Sequence, residues 1–233
     1  MKQILEDGFR QQGLSFSDSQ AGLFEAYYKH LDERNSVMNL TAITGEEDTA
    51  RLHFLDCAAL ASLYDFSGAS VIDVGSGAGF PGLPLKLAVP NINLTLLDSH
   101  KKRVDFLQEC VDLLELSDTR CLCGRAEELA PDIGGSFDVV VSRAVAKLNI
   151  LCELSLPFVH VGGVFIAMKG PDCREELQQS MKALALLGGR DPVIRSYTIP
   201  GTDIVHSAVI IKKVKPTPPQ YPRQFGKIKK SPL

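Results

Sequence analysis

The sequence Val71-Ile-Asp-Val-Gly75-Ser-Gly77-Ala-Gly79-Phe-Pro-Gly82 passes from a short apolar run directly into a series of glycines. The apolar run has the length and content of a buried β-strand, and a helix is predicted to begin near Pro84. Glycine permits positive φ angles and lets a ligand approach the backbone closely. The segment therefore predicts a strand, a ligand-binding turn and a helix, which together open an α/β domain.

Two glycine patterns overlap in this segment. Counted from Gly77 it matches G-x-G-x-x-G, the dinucleotide fingerprint, which is weak evidence when it stands alone. Counted from Gly75, the sixth position is Phe80, whose bulk would block the close helix packing that a third glycine permits. Asp73 followed by G-x-G-x-G instead resembles motif I of class I methyltransferases. We therefore expect Gly75, Gly77 and Gly79 at a cofactor site and keep an NAD-binding oxidoreductase as an alternative.

Further apolar runs follow the turn, at 94–97, 119–123, 137–141, 164–167 and 206–211. Their nearly continuous hydrophobicity suits strands that are covered on both faces. Helical stretches separate them, and this alternation is typical of a parallel, doubly wound sheet. Residues 67–214 are therefore predicted to form a Rossmann-like α/β domain with helices on both faces of the sheet.

Different patterns flank this domain. Residues 1–66 form a predicted helical cap, with apolar residues at helical spacing and an acid-led run at 46–64. Residues 215–233, the C-terminal tail, contain five prolines, and because proline fixes φ and lacks an N–H donor, we expect the tail to be extended. No acid follows Asp203, whereas seven Lys and Arg residues do, which favours a polyanionic partner.

The composition is typical of a soluble globular protein, with 45% apolar residues, 23% charged residues and a net charge of −3. No run of about 18 apolar residues occurs, and acids stand where a signal peptide needs its apolar centre. We therefore expect no membrane span and a cytoplasmic location. The six cysteines lack zinc spacing, so we expect no metal, and we expect Cys121 and Cys123 to be small buried residues on one face of a strand.

Two further strand ends carry candidate cofactor residues. The run at 94–97 ends in Asp98, and a carboxylate there can accept both hydroxyls of a ribose, in NAD and in S-adenosylmethionine alike. A helix N-cap is the alternative role of Asp98, and the two roles can coexist. After the run at 119–123 come Ala126 and Glu127, where class I methyltransferases hold adenine. Taken alone, this pair would be an ordinary surface turn.

The end of the fourth strand bears on the methyl acceptor. It reads Val141-Ser-Arg143-Ala-Val, without the Asp/Asn-Pro-Pro-aromatic motif usual for exocyclic amines, and no cysteine for pyrimidine-carbon chemistry stands between 124 and 151. Guanine N7 remains a suitable acceptor, since its lone pair is free and no proton has to leave. Catalysis then needs mainly alignment, which can supply several kcal/mol of the barrier. We assign no catalytic residue.

The joint pattern resembles the RsmG/GidB family of bacterial guanine-N7 methyltransferases of small-subunit (16S) rRNA, from about residue 25 to the end. The resemblance is carried by Asn39-Leu-Thr-Ala-Ile, His53-Phe-Leu-Asp56, Ile72-Asp-Val-Gly-Ser-Gly-Ala-Gly-Phe-Pro-Gly82, Leu97-Asp-Ser, Lys102-Arg103, Ser142-Arg-Ala144, Met168-Lys-Gly170, Tyr221-Pro-Arg-Gln-Phe-Gly226 and Lys230-Ser-Pro-Leu. One departure is Cys57, where family members often have Ser.

The resemblance implies a seven-stranded class I fold, S-adenosylmethionine as cofactor, and methyl transfer to N7 of a specific guanine in 16S rRNA. It also implies that the cofactor pocket is lined by Gly75, Phe80, Ala126, Glu127 and Arg143, with Asp98 on the ribose. A structural salt bridge is the alternative role of Arg143.

Four residues are candidates for contact with the RNA, namely Asn39, His53, Lys169 and Arg223. On a helix His53 and Asp56 would share one face, so they could orient each other near the substrate, or Asp56 could pin the cap to the core. Lys169 either contacts phosphate or faces solvent. Arg223 lies in the tail, which either contacts RNA or is a solvated, disordered end.

The expected partner is 16S rRNA or an assembly intermediate of the small subunit, bound by a monomer. Guanine N7 lies on the major-groove edge, and the A-form groove is too narrow for protein to enter, so isolated guanosine should be a poor substrate in comparison with a shaped RNA site. Two further alternatives stay open, a class I methyltransferase for another RNA, a protein or a small molecule, and a cofactor-binding RNA module without activity.

Overall fold

The protein's structure is a computed structural model that describes residues 1–143 and 146–233. Its strands are β1 (Ser70–Val74), β2 (Asn93–Asp98), β3 (Thr119–Cys123), β4 (Phe137–Arg143), β5 (Val159–Lys169), β6 (Gly189–Thr198) and β7 (Val205–Lys213). Within the described ranges they form one sheet in the order β3-β2-β1-β4-β5-β7-β6. Strands β1 to β5 pair in parallel, and β7 runs antiparallel between β5 and β6. The predicted mostly parallel sheet is confirmed.

Helices cover both faces of this sheet. They are α1 (Lys2–Gln11), α2 (Asp18–Met38), α3 (Glu46–Thr49), α4 (Asp56–Ala58), α5 (Leu60–Leu63), α6 (Gly82–Ala88), α7 (Lys101–Leu113), α8 (Ala126–Ile133), α9 (Leu148–Ser155), α10 (Arg174–Leu187) and α11 (Phe225–Lys230). A π-helical turn (Ala50–Leu55) joins α3 to α4, and a 3-10 turn (Leu156–Phe158) follows α9. In the described part of the chain, no helix is both long and apolar enough to cross a membrane.

Neighbouring residues of β1 belong to different hydrophobic clusters. Val71 packs in a cluster that contains Phe9 of α1 and Phe24 of α2. Ile72 packs on the opposite face, in a cluster that contains Leu151 of α9 and further side chains of α10 and α11. Because successive strand residues point to opposite faces, this division shows that the central strand is buried on both sides.

Helix α2 of the cap has well-defined ends. Ser17 and Gln20 form a capping box at the start of α2, and Asn39 ends this helix in the left-handed conformation, with φ 51° and ψ 52°. The cap shares a hydrophobic cluster with one face of the sheet. We propose that the helical cap ends at residue 66 and that the α/β domain ends at residue 214.

Three features of the structure correct the sequence-based predictions. Strand β6 had no predicted position, because charged residues and a register shift between Arg190 and Val193 obscure its pattern. The tail is not wholly extended, since residues 225–230 contain no proline and form α11. Cys121 is only half-buried and Cys123 is exposed, because β3 is the edge strand of the sheet.

Candidate active site

A cavity of about 440 Å³ lies at the carboxyl ends of β3, β2, β1 and β4. Its volume is within the range of about 300–1,000 Å³ that small-molecule sites occupy. Seven of the predicted cofactor residues line it, namely Gly75, Gly77, Phe80, Asp98, Ala126, Glu127 and Arg143. Of the predicted RNA contacts, His53 lines the same cavity. Most of the cofactor residues predicted from the sequence therefore lie in the wall of one cavity.

The turn after β1 is held by the neighbouring strand. The N–H groups of Gly75 and Ser76 both donate to the Leu97 carbonyl of β2, at 2.8 and 3.0 Å. Gly77 has a φ of 57°, and a Cβ built on it would have the Gly75 carbonyl as its nearest neighbour at 4.0 Å. A side chain at Gly77 would therefore occupy space at the cavity wall that the backbone leaves open.

Gly79 and Gly82 serve packing and lie outside the cavity wall. A Cβ on Gly79 would lie 2.6 Å from the Tyr27 hydroxyl and 2.5 Å from Leu83 Cδ1, at a φ of 98°. A Cβ on Gly82 would lie 2.6 Å from Leu96 Cδ2. Gly82 thus provides the close contact between helix and strand, so the expectation that Phe80 prevents such packing is wrong.

The Phe80 side chain instead faces the cap. Its ring stacks on His53 with centroids 4.2 Å apart and planes at 23°. The Arg143 guanidinium carbon lies 4.7 Å from the Phe80 centroid, a cation–π distance. Phe80 is therefore the contact through which the turn meets the end of β4 and the π-helical turn.

Asp98 is 4% exposed and holds two backbone groups. Its Oδ2 accepts the Gly77 N–H at 3.0 Å, and its Oδ1 accepts the His100 N–H at 2.9 Å. His100 is the N-cap of α7, so Asp98 supports the start of this helix from two residues before its cap. Arg103 lies 3.7 Å from the same carboxylate. The carboxylate is thus fixed at the cavity wall, where a ribose could meet it.

Asp73 lies beneath the turn and has no exposed surface. Its Oδ2 accepts the Gly82 N–H at 2.9 Å, while no described group donates to its Oδ1. Burial raises the pKa of the Asp73 carboxyl to about 7. A carboxyl with this pKa is partly protonated near neutral pH.

Arg143 donates hydrogen bonds to three residues at the β4 end of the cavity. Its Nη1 donates to Asp56 Oδ2 at 3.1 Å and to the Leu52 carbonyl at 3.2 Å, and its Nη2 donates to His53 Nδ1 at 2.8 Å. His53 and Asp56 therefore both accept hydrogen bonds from Arg143. Among the hydrogen bonds of the described residues, none joins His53 to Asp56. Arg143 lines the cavity and also forms a buried salt bridge with Asp56, so its predicted contact with a cofactor stays a prediction.

Asp56 connects the cap to the far strands of the sheet. Its Oδ1 accepts the Tyr197 hydroxyl and His206 Nδ1, each at 2.8 Å. The side-chain hydrogen bond to Asp56 is the largest cause of a raised His206 pKa. Asp56 is itself 1% exposed. The prediction that Asp56 pins the cap to the core agrees with this geometry.

His53 is buried and electrically neutral. Burial first, and then the Arg143 charge, lower the pKa of His53 to about 3. Its Nε2 lies 2.8 Å from Thr41 Oγ1, and Thr41 and Leu40 also line the cavity. Sequence reasoning missed both of these residues as wall components, although they lie in Asn39-Leu-Thr-Ala-Ile, a segment that had been noted for its resemblance.

The C-terminal tail also reaches the cavity, through Phe225, which lines it beside Leu154. Arg223 fixes the tail: its backbone N–H and Nε donate to Glu153 Oε1 at 2.9 and 2.8 Å, and its Nη2 donates to Oε2 at 2.6 Å. Glu153 has no exposed surface. Ile228 of α11 is buried in the same cluster as α9. The tail is therefore docked on the core of the protein.

The other predicted RNA contacts lie away from the cavity wall. Asn39 is exposed. Lys169 is neither solvated nor free, because its Nζ donates to the Ala146 carbonyl at 2.9 Å and to Glu176 at 2.8 Å. Of the segment Ser142-Arg-Ala144, the last residue and the following Val145 lie outside the described residues. No cluster of potential metal ligands occurs among the residues that the structure describes.

Solved structures with a similar fold include an O-methyltransferase and a protein in complex with AdoMet. An O-methyltransferase from Bacillus cereus in complex with SAH matches with a TM-score of 0.57 at 15% identity, over 88% of this chain and 96% of that chain. M. jannaschii TYW2 in complex with AdoMet matches with a TM-score of 0.56 at 13% identity, over 74% and 80% of the two chains. Such identities show the fold alone. The strand order, the single antiparallel strand and the glycine turn beside a buried carboxylate define the class I methyltransferase fold.

The chain belongs to the GidB family, described as rRNA small subunit methyltransferase G, whose family model matches residues 20–204. A relative from Alkaliphilus metalliredigens, named Ribosomal RNA small subunit methyltransferase G, is 46% identical over 100% of this chain and 98% of its own length. A relative of the same name from Clostridium botulinum strain 657 is 43% identical over 99% and 98% of the two chains. The family resemblance read from the motifs is confirmed.

Proposed function

We propose that this protein transfers the methyl group of S-adenosylmethionine to N7 of one guanine in small-subunit (16S) ribosomal RNA. The observation that carries the proposal is the similarity to proteins named for small-subunit rRNA methylation, which extends along the whole chain at 43–46% identity. The cavity supports it because its wall offers separate places for a nucleoside and for an acceptor base.

The residues of the cavity fit the cofactor. A glycine turn that leaves open space at Gly77 admits a ligand, and the fixed carboxylate of Asp98 can accept ribose hydroxyls. Ala126 and Glu127, which begin α8 just after β3, would hold the adenine. When bound, the cofactor supplies a sulfonium methyl group as the electrophile.

The order of the strands indicates where the cofactor and the acceptor base would lie in the cavity. Strands β2 and β3 lie on one side of β1, and β4 lies on the other. If the nucleoside occupies the β2 and β3 ends, the acceptor base belongs at the β4 end, which Arg143, His53 and Thr41 surround.

The groups at the β4 end suit an acceptor atom that carries no proton and therefore needs no general base. His53 is neutral and its Nδ1 already accepts from Arg143, so it does not serve as a general base. Arg143 is a permanent cation whose charge is balanced by Asp56. The lone pair of guanine N7 attacks carbon without losing a proton, so the chain's contribution is to align the base and exclude water.

Cations around the cavity mouth would hold the RNA backbone. Arg103 and Arg125 line the cavity, and α11 carries Lys227 and Lys229, which are both exposed. Each phosphate that such groups neutralise releases counterions, so binding should weaken steeply with salt. Of the predicted RNA contacts we retain Asn39, whereas Lys169 and Arg223 are occupied by Glu176 and Glu153. Both ring nitrogens of His53 are likewise occupied, by Arg143 and Thr41, so His53 would position these neighbours and make no hydrogen bond of its own to the RNA.

The proposal includes the cytoplasmic location and the monomeric state that we expect from the sequence. Sedimentation of the purified protein checks the second point.

Radiolabelled S-adenosylmethionine, supplied with 16S rRNA that lacks its own methylations, tests the proposal. The RNA is offered both naked and as 30S particles, and labelled RNA is then cleaved with aniline, which reports 7-methylguanine. We expect label at one cleavable guanine. Label in protein or in no RNA at all, from a preparation that binds the cofactor, would contradict the proposal.

A further inference from the structure

We propose that the Thr41 hydroxyl is a hydrogen-bond donor of fixed direction that reads O6 of the target guanine, and that Arg143 and His53 fix this direction. The inference rests on the proposed function and adds a residue that distinguishes guanine from adenine. It follows from a chain of hydrogen bonds that runs from Arg143 through His53 to Thr41, in which each donor fixes the direction of the next bond.

The first direction is set by the guanidinium of Arg143. A guanidinium carries N–H donors and no acceptor. Arg143 Nη2 lies 2.8 Å from His53 Nδ1, so Nδ1 must accept and the ring hydrogen of the neutral imidazole is on Nε2. The lowered pKa of His53 agrees with a neutral ring beside this cation.

The second direction is set by His53 and by the backbone. His53 Nε2–H donates to Thr41 Oγ1 at 2.8 Å, and the Ile43 N–H donates to the same oxygen at 3.1 Å. A hydroxyl oxygen has two acceptor lone pairs, and both are then occupied. The hydroxyl hydrogen of Thr41 has no acceptor among the described residues, so it is available to a ligand of the cavity that Thr41 lines.

The position of Thr41 is also fixed. The Asn35 side chain accepts the Thr41 N–H at 2.9 Å and donates to the Thr41 carbonyl at 3.0 Å. Asn35 belongs to the last turns of α2, so this pair anchors the loop to a helix of the cap. A donor held in place and in direction is suited to reading one atom of a base.

The location is the acceptor side of the cavity. Thr41 hydrogen-bonds His53, which hydrogen-bonds Arg143 at the end of β4, whereas Asp98 lies at the end of β2 on the other side of β1. Thr41 therefore lies on the side opposite the proposed ribose position.

The chemistry selects guanine. Guanine presents O6 as an acceptor next to N7, whereas adenine presents its N6 amino donor at the same place. A threonine that could rotate freely would satisfy either base. The Thr41 hydroxyl cannot reverse, because Arg143 does not lose its proton and the whole series would have to reverse with it. A hydrogen-bond donor at this point favours binding of guanine, through O6, and disfavours binding of adenine, whose N6 amino group is also a donor.

Two variants and one altered substrate test the inference. Thr41→Ser keeps the hydroxyl and Thr41→Val removes it with little change in volume. The substrates are 30S particles reconstituted with 16S rRNA that carries either guanine or 2-aminopurine at the methylated position, since 2-aminopurine keeps N7 and lacks O6. Methylation rates are measured at saturating cofactor, and cofactor dissociation constants are measured separately.

We expect the wild-type protein to lose about tenfold in kcat/KM on 2-aminopurine beyond the change in intrinsic reactivity, as one hydrogen bond is worth about that factor. Thr41→Val should lose about tenfold on guanine and show no such further loss on 2-aminopurine. Thr41→Ser should resemble the wild type on both. The intrinsic reactivity of 2-aminopurine cancels when the two proteins are compared, and so does any general loss of folding in Thr41→Val.

Two results would overturn the inference. One is an equal loss on 2-aminopurine for the wild type and Thr41→Val, because O6 would then be read elsewhere. The other is a raised cofactor dissociation constant in Thr41→Val that Thr41→Ser restores, because the hydroxyl would then serve the cofactor. Failure of the wild type on guanine particles is a separate result, which would remove the proposed function itself.

Discussion

The glycine-rich turn (residues 75–82) and the C-terminal tail both contribute to the wall of one cavity, but they are held there by different forces. The turn is held by backbone hydrogen bonds to Leu97 and by close contacts at Gly79 and Gly82. The tail is held by the buried pair of Arg223 and Glu153 and by the apolar side chain of Ile228.

This difference separates what belongs to the fold from what is added to it. Disturbing the turn also disturbs the central strands, because its hydrogen-bond partners are parts of β2 and its neighbours are core side chains. Releasing the tail would leave the sheet intact and open one side of the cavity near Phe225. The turn should therefore govern stability and binding together, whereas the tail should affect binding more than it affects the stability of the sheet.

The largest effect is expected from Gly79→Ala. The new Cβ would meet Tyr27 and Leu83 at a positive φ, and overpacking with backbone strain costs about 2–4 kcal/mol. Gly226→Ala in α11 is the matched control, because no atom lies within 4 Å of its added Cβ and its change should stay within about 0.5 kcal/mol. Urea unfolding of both variants measures the difference. Equal stabilities would contradict the comparison.

A smaller effect is expected from Asp98→Asn. Loss of the carboxylate charge weakens hydrogen bonds from ribose hydroxyls, and a hydrogen bond to a charged group is worth about 1.5–3 kcal/mol. Calorimetry should show the dissociation constant for S-adenosylhomocysteine raised by about tenfold or more. Asp105→Asn, which removes an exposed carboxylate paired with Lys101, is the control and should bind normally. Unchanged binding in both would exclude Asp98 from the ribose site.

A pH-dependent effect is expected from His53, which joins the turn through Phe80. Its folded pKa of about 3 lies below the ordinary value near 6.5, so the unfolded chain binds the extra proton and stability is lost as pH falls from about 6.5 towards 3. Between pH 7.5 and pH 5 the wild type should lose about 1–2 kcal/mol more than His53→Gln. Asp73, with its raised pKa, acts in the opposite direction but is present in both proteins. Parallel pH profiles of stability would show that His53 is not buried as a neutral ring.

The smallest effect is expected from Arg223→Ala. The tail can leave and let water reach Glu153, so the full cost of an unpaired buried charge is avoided. Loss of Phe225 from the cavity wall should raise the cofactor dissociation constant by about threefold, and the tail should become sensitive to limited proteolysis. Lys229→Ala removes an exposed tail charge and should change neither readout. A protected tail in Arg223→Ala would mean that the ion pair is not what holds it.

The sequence allowed the turn and the parallel strands to be predicted because their signals are local. Gly75, Gly77 and Asp98 stand directly after apolar runs, so their place at a strand end could be inferred without knowing the rest of the fold. Strand β6 and helix α11 could not be located in this way. The first carries charges along an edge of the sheet, and the second depends on Glu153, which lies 70 residues away from Arg223 in the chain.

The role of Thr41 was also beyond prediction from the sequence. Its hydrogen-bond direction depends on His53 and Arg143, which approach it only through the π-helical turn and the end of β4. A motif indicates that such residues belong together, whereas the direction of each hydrogen bond requires their geometry.

A crystal structure of the protein with S-adenosylhomocysteine would test most directly how the cavity is used. We predict the ribose hydroxyls within hydrogen-bond distance of the Asp98 carboxylate, the adenine beside Ala126, and the sulfur directed towards the end of β4 where Thr41 and Arg143 lie. A ribose bound away from Asp98, or a sulfur directed towards β3, would contradict both the cofactor site and the acceptor side proposed for this protein.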